Sequence, residues 1–146
     1  MTIMTAARPR PKGHPRYRLT TDRIPQAAKE ARNLTRVALA VWGLNSDTDA
    51  AELIMSELVA NAARHARGTK IRLAVNRPAP DRVHLAVTDR APDLLPQLLT
   101  PTDDSDRGRG LVLVDHLADR WGYALIGPAR APTSKRVWAD LQVHLR

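Results

Sequence analysis

The sequence Ser56-Glu57-Leu58-Val59-Ala60-Asn61-Ala62-Ala63-Arg64-His65-Ala66 decides the fold. It forms the second half of a predicted helix from about Thr48 to Ala66. Asp47 or Thr48 can cap its start, and a glycine follows its end. At the helical period, its polar side chains share a wedge of roughly 100°, and apolar or small residues cover most of the rest. This pattern predicts a helix buried almost all round, with one polar seam formed by Glu57, Asn61, Arg64 and His65.

The polar seam has two interpretations. A carboxylate between apolar faces is costly unless it is hydrogen-bonded, charge-paired or directed at a cavity that holds a ligand. The alternative is an ordinary amphipathic helix whose Glu57 and Arg64 face water. The helix alone favours neither interpretation, so the choice between them depends on motifs elsewhere in the chain.

Composition narrows the class of protein. The chain has 146 residues, 43% of them hydrophobic and 26% charged, as expected for one globular domain with a substantial core. It contains no cysteine, which excludes disulfides, thiolate metal sites and thiol catalysis. No apolar run is long enough for a membrane span, and no signal-peptide pattern follows the N-terminus. We therefore expect a cytoplasmic protein with no membrane partner.

The net charge of +8 is unevenly distributed. Residues 1–36 contain nine Lys and Arg against two acidic residues, whereas the remaining residues contain fourteen against thirteen. Residues 1–15, rich in proline and basic side chains, are predicted to be a flexible tail, and residues 16–146 to be the domain. A basic tail without interleaved aromatic residues is a weak nucleic-acid signal. A nucleic-acid-binding module remains an alternative, but we expect no direct nucleic-acid contact.

The remaining periodicities predict an α/β two-layer sandwich. A short strand near Tyr17 precedes a helix that ends at Gly43, and the central helix follows. Alternating residues then predict a hairpin of strands 70–76 and 82–88, followed by a Pro- and Asp-rich loop of about 20 residues, a length that is usually functional or disordered. A helix over 111–120 and strands 121–126 and 135–145 complete the order. Adjacent hairpins predict a mixed, largely antiparallel sheet with helices on one face.

Two further segments stand beside the seam at loop ends. Val87-Thr88-Asp89 ends a strand in a carboxylate, and Arg107-Gly108-Arg109-Gly110-Leu111 places two glycines immediately before a helix. Glycines there allow backbone N–H groups to approach an anion, which the helix N-terminus also favours. A lone Gly-x-Gly is weak evidence, and no P-loop pattern is present.

Together, in this order and spacing, the three segments resemble the N, G1 and G2 boxes of the GHKL ATPase family. The sequence is most similar to its small bacterial branch of anti-sigma factors with serine kinase activity. That similarity extends through Asp119-Arg120-Trp121-Gly122 and Lys135-Arg136-Val137-Trp138-Ala139-Asp140-Leu141, and it spans roughly residues 16–145.

The resemblance implies a histidine-kinase-like ATPase fold and a set of roles. Asn61 would bind the Mg²⁺ that bridges the ATP phosphates, and Glu57 would be the catalytic base that activates the attacking hydroxyl. Asp89 would accept a hydrogen bond from the adenine amino group, and the glycines would form the phosphate-facing end of an ATP lid. Arg64 or His65 could contact phosphate, although each could equally be structural. The implied nucleotide-binding residues are Asn61, His65, Asp89, Ala91, Gly108, Gly110 and Leu111.

The sequence departs from the family pattern at three places. Ala91 and Asp93 stand where the G1 box often has glycine. Ser134-Lys135-Arg136 replaces a Gly-Lys-Thr run whose threonine supports the adenine-binding Asp, so that hydroxyl is missing unless Thr133 or Ser134 supplies it. The lid retains only two glycines. These changes bear on nucleotide affinity more than on fold.

The resemblance further implies ATP and Mg²⁺ as cofactors and two protein partners. A serine on an anti-anti-sigma protein would be phosphorylated, and a sigma factor would be sequestered; a homodimer is also implied. The alternatives are a regulator that acts by protein contact alone and the basic nucleic-acid-binding module.

Overall fold

The computed structural model describes residues 3–7, 16–23, 25–65, 69–96 and 109–144. They form six strands, three α-helices and one short 3-10 helix at Asn45–Asp47. In chain order the elements are β1 (Ile3–Ala7), β2 (Arg16–Asp22), α1 (Ala27–Val41), α2 (Thr48–His65), β3 (Lys70–Ala79), β4 (Arg82–Asp89), α3 (Arg109–Leu117), β5 (Arg120–Ile126) and β6 (Ser134–Gln142).

The strands form one sheet in the order β1-β2-β3-β4-β6-β5. Every pairing between described strands is antiparallel, so no parallel pair of the predicted mixed sheet is present among them. Helices α1 and α2 pack on one face of this sheet, and α3 packs on α2. The predicted two-layer sandwich is confirmed.

The core lies between α1, α2 and the inward side chains of the sheet. Helix α2 contributes a regular stripe at helical spacing, and the strands contribute every second residue. The buried residues of α2 are Ala51, Ile54, Met55, Leu58, Val59 and Ala62. The prediction that α2 is buried almost all round is wrong, because its buried side chains occupy one stripe and Leu53 is 40% exposed.

Glycine ends α1 where the sequence predicted it. Gly43 has φ of 74°, a left-handed conformation that favours glycine. Its N–H donates to Ala40 O, and the N–H of Leu44 donates to Leu39 O at 2.8 Å. These two bonds form a Schellman motif, and buried Leu44 supplies its apolar contact.

The N-terminal boundary of the ordered sheet differs from the expectation. Residues Ile3–Ala7 of the predicted flexible tail form strand β1, which pairs with β2 at the edge of the sheet. The segment Ile-Met-Thr-Ala-Ala contains no proline and no charge, so it can join an edge, whereas the tail prediction rested on the prolines and basic residues that follow it. Strand β3 also extends to Ala79, beyond its predicted end at residue 76, with a register shift between Asn76 and Ala79.

The side chain of Asp47, immediately before α2, binds the C-terminal end of the described chain. The backbone N–H of His144 donates to Asp47 Oδ2 at 2.8 Å, and His144 Nδ1 lies 3.0 Å from Asp47 Oδ1. Burial raises the pKa of Asp47, but the hydrogen bonds from His144 and Ser46 outweigh it, so the pKa lies below its ordinary value. Asp47 therefore stabilises the fold as a carboxylate.

Within the described ranges, none of the helices combines the length and apolar character that crossing a bilayer requires.

Candidate functional site

Helix α2 presents the predicted polar seam beside its buried stripe. Glu57 and Asn61 lie one turn apart and are both half-buried, whereas Arg64 is exposed. His65 is the last residue of α2, and its side chain lies outside the described part of the structure. Within that part, neither Glu57 nor Asn61 has a side-chain hydrogen bond or ion pair. The two side chains therefore occupy a partly desolvated position with their polar atoms available for other contacts.

The C-terminal end of α2 is fixed to the sheet by an arginine. Arg23, immediately after β2, donates from Nη1 to Ala63 O at 2.9 Å. The last carbonyl groups of a helix have no intrahelical partner and carry partial negative charge, so a guanidinium is favourable there. This contact holds the end of the helix that carries Asn61.

Asp89 ends β4 on the inward face of the sheet, with a side chain that is almost fully buried. Its Oδ1 accepts two hydrogen bonds, from the Ala91 N–H at 2.8 Å and from Lys135 Nζ at 2.9 Å. Lys135 lies directly opposite Asp89 in the register of β4 and β6, and it also donates to Ala91 O at 2.9 Å. Each side chain of this ion pair is 1% exposed. The carboxylate is therefore held in one orientation by backbone and side chain together.

The second carboxylate oxygen of Asp89 has a different environment. Oδ2 is buried and has no hydrogen-bond partner among the described residues. A buried acceptor without a partner costs about 1–3 kcal/mol, so such groups in native proteins commonly receive a donor from a ligand or from water. A primary amino group such as the exocyclic amine of adenine is a suitable donor. The residues at this position thus fit the predicted role of Asp89, which stays a prediction.

Ala91 and Leu111, both predicted to bind nucleotide, are buried. The backbone of Ala91 is held by Asp89 and Lys135, and its methyl group is inaccessible. The Leu111 side chain is 2% exposed in the first turn of α3, so only its backbone N–H could meet an anion. Gly110 also lies in this first turn, whereas Gly108 and the rest of the predicted ATP lid lie outside the described residues.

Asn61 would have to hold a metal without a cluster of acidic side chains. The residues that the structure describes contain no group of three or more His, Asp or Glu side chains able to hold an ion. Mg²⁺ commonly takes one or two protein ligands and completes its shell with water and phosphate oxygens. A single amide oxygen at Asn61 is therefore compatible with Mg²⁺ that arrives with a nucleotide.

The partnership of Lys135 with Asp89 was missed at the level of sequence. The run Ser134-Lys135-Arg136 lacks the threonine of the family pattern, but Lys135 itself supplies a donor to Asp89. Of the two suggested substitutes, Thr133 donates to Ile126 O, and strand alternation directs Ser134 to the face opposite Asp89. Register could have revealed the pair, because both residues lie on the inward face of neighbouring strands.

A family model described as a histidine kinase-like ATPase domain matches residues 21–131. The chain belongs to this family. The match covers α1, α2, Asp89 and α3, and membership supports an ATP-binding regulatory role. A search among curated proteins found no match.

Proposed function

We propose that this histidine kinase-like ATPase domain binds Mg-ATP between α2 and the end of β4 and transfers the γ-phosphoryl group to a serine of a partner protein. The observation that carries the ATP-binding part is the buried, unpartnered Oδ2 of Asp89. By resemblance, the serine belongs to an anti-anti-sigma protein. The second partner is a sigma factor, which this protein sequesters.

Asp89 would select adenine among the nucleotide bases through its negative charge. Its Oδ1 is occupied by Ala91 N–H and Lys135, so Oδ2 is left to accept from an amino group. A charge-assisted hydrogen bond of this kind contributes about 1.5–3 kcal/mol. A base that presents a carbonyl oxygen at this point would meet a carboxylate and be rejected.

Glu57 and Asn61 would act at the phosphate end. When bound, Mg-ATP supplies the phosphoryl group and the charge neutralisation that phosphoryl transfer requires. Asn61 would hold the metal through its amide oxygen, and Glu57 would take the proton from the serine hydroxyl. The partial burial of Glu57, without a described cation beside it, suits a general base better than a structural ion pair.

The test is transfer of labelled γ-phosphate to candidate anti-anti-sigma proteins from the same genome. Glu57→Ala should lower the transfer rate by about 10²–10⁴-fold, while Mg-ATP binding and sigma-factor capture survive. The matched control is Glu52→Ala on the same helix, because Glu52 pairs with exposed Arg36 at 2.9 Å on the surface. If Glu57→Ala transfers phosphate as fast as wild type, Glu57 is not the base.

A second candidate is a regulator that acts by contact alone. The observation that favours it is the buried ion pair of Lys135 with Asp89, because a charged group of the protein itself already engages this carboxylate. In that case Lys135 and Asp89 form a structural ion pair. A wild-type protein that captures a partner but transfers no phosphate to any candidate would establish this second function.

A further inference from the structure

The sheet face opposite the helices carries a cluster of three arginines, Arg18, Arg72 and Arg136, which we term the arginine cluster. Arg72 and Arg136 flank Thr88 in the register of β3, β4 and β6. Arg18 lies on β2, two residues before Thr20, which is the partner of Arg72. Strand alternation directs these side chains away from Asp89 and Lys135. The arginine cluster therefore lies on the face of the sheet opposite Asp89 and Lys135.

The charge of the arginine cluster is not compensated within the described residues. None of its three guanidinium groups has a hydrogen bond or ion pair there. The acidic side chains of the same face already have partners, because Asp22 pairs with Lys70, and Asp140 contacts both His84 and Arg120. Burial lowers the pKa of Arg136, and the charges of Arg18 and Arg72 lower it further. The three like charges repel one another, and a bound anion would relieve this repulsion.

The arginine cluster borders a concave site. Its three arginines, with Thr20 and Thr88, line a cavity of ≈ 660 Å³. A neighbouring cavity of ≈ 970 Å³ shares Thr20, Arg72 and Thr88, adds Lys70 and Arg90, and reaches Asp89 at the end of β4. These volumes are in the range of small-molecule sites. Guanidinium forks match phosphate oxygens in pairs, and threonine hydroxyl groups can add neutral donors.

We propose that this outer-face cavity binds a small molecule that carries a diphosphate or two phosphate groups. Three guanidinium groups balance an anion of charge near −3, which a diphosphate supplies within a compact volume. An extended single strand of nucleic acid is less suited, because such strands require aromatic platforms for base stacking. On the described part of this face the aromatic side chain is Trp138, which already stacks on His84 with ring centroids 5.6 Å apart.

The experiment is calorimetric titration of the full-length protein with sodium pyrophosphate at low salt, with sodium sulfate at equal ionic strength as a reference. Wild type should bind pyrophosphate more tightly than sulfate. Arg136→Gln should weaken pyrophosphate binding by at least about tenfold, as expected for loss of one bidentate contact. The matched control, Arg32→Gln at an exposed position of α1, changes the net charge equally and should bind pyrophosphate as wild type does.

Two further measurements keep the proposal open to refutation. Arg136→Gln should unfold at the same temperature as wild type or higher, because the substitution removes like-charge repulsion, and its ATP affinity should be unchanged. The proposal fails if wild type shows no pyrophosphate binding at millimolar concentration, or if Arg136→Gln and Arg32→Gln weaken it equally. It also fails if Arg136→Gln loses ATP together with pyrophosphate, or if single-stranded DNA or an acidic protein proves the tighter, Arg136-dependent ligand.

Discussion

Replacement of Lys135 by methionine tests the buried ion pair that holds Asp89. Methionine has a similar length and no charge, so it fills much of the same volume while removing the ammonium group. The substitution removes one charge-assisted bond to Asp89, worth about 1.5–3 kcal/mol, and one bond to Ala91 O, worth about 1 kcal/mol. Asp89 then retains only the Ala91 N–H, with Oδ2 already unpartnered. We expect a loss of about 3–5 kcal/mol, the usual cost of leaving one buried charge alone.

The assay is urea unfolding of four proteins: wild type, Lys135→Met, Asp89→Asn and the double variant. For a slope of about 2 kcal/mol per M, Lys135→Met should lower the urea midpoint by about 1.5–2.5 M. Asp89→Asn should partly rescue Lys135→Met, because it removes the uncompensated charge, which gives a coupling free energy of at least about 1 kcal/mol.

The matched control for Lys135→Met is Lys70→Met. Lys70 also pairs with an aspartate, Asp22, but its side chain is 48% exposed, so solvent screens the pair and the loss should be well below that of Lys135→Met. The reasoning is wrong if Lys135→Met costs no more than Lys70→Met, or if the effects of Lys135→Met and Asp89→Asn simply add.

Three further predictions concern metal binding, pH and packing. Asn61→Ala should abolish the Mg²⁺ dependence of ATP binding without lowering the melting temperature, since alanine is the better helix former; calorimetry with and without Mg²⁺, beside a thermal melt, measures both. His144→Ala should lower the free energy of unfolding by about 1 kcal/mol at pH 7, and urea unfolding below about pH 4 should show a smaller difference in this free energy from wild type. The sign follows from the lowered pKa of Asp47, whose contribution is present above its unfolded pKa and lost as pH falls through the folded value. Gly122→Ala should cost about 1–3 kcal/mol in urea unfolding, because its Cβ would lie 3.0 Å from the Trp138 ring; unchanged stability would contradict that packing.

Periodicity was sufficient to predict most of the fold. The glycine that ends α1 and the alternation of β3 and β4 follow from local rules of backbone conformation and side-chain direction. Strand β1 could not be found this way, because a five-residue edge strand is formed by its partner more than by its own composition.

The sequence was sufficient to name the candidate site residues, but it did not predict which side chains contact one another. The motif order indicated Glu57, Asn61 and Asp89, each of which the structure places on the expected element. The Asp89–Lys135 ion pair depends on the register between β4 and β6, which no local pattern specifies. The arginine cluster was hidden for a related reason, because net charge per segment does not show which strands bring Arg18, Arg72 and Arg136 to one face.

The most direct test of the central claim is calorimetric titration of wild type and Asp89→Asn with ATP in the presence of Mg²⁺. Saturable binding to wild type should weaken by about 10- to 100-fold in Asp89→Asn, with relaxed discrimination against GTP, because the amide loses the charge-assisted bond to the base. No saturable heat with wild type at millimolar ATP, or the same ATP affinity in Asp89→Asn, would contradict the proposed site.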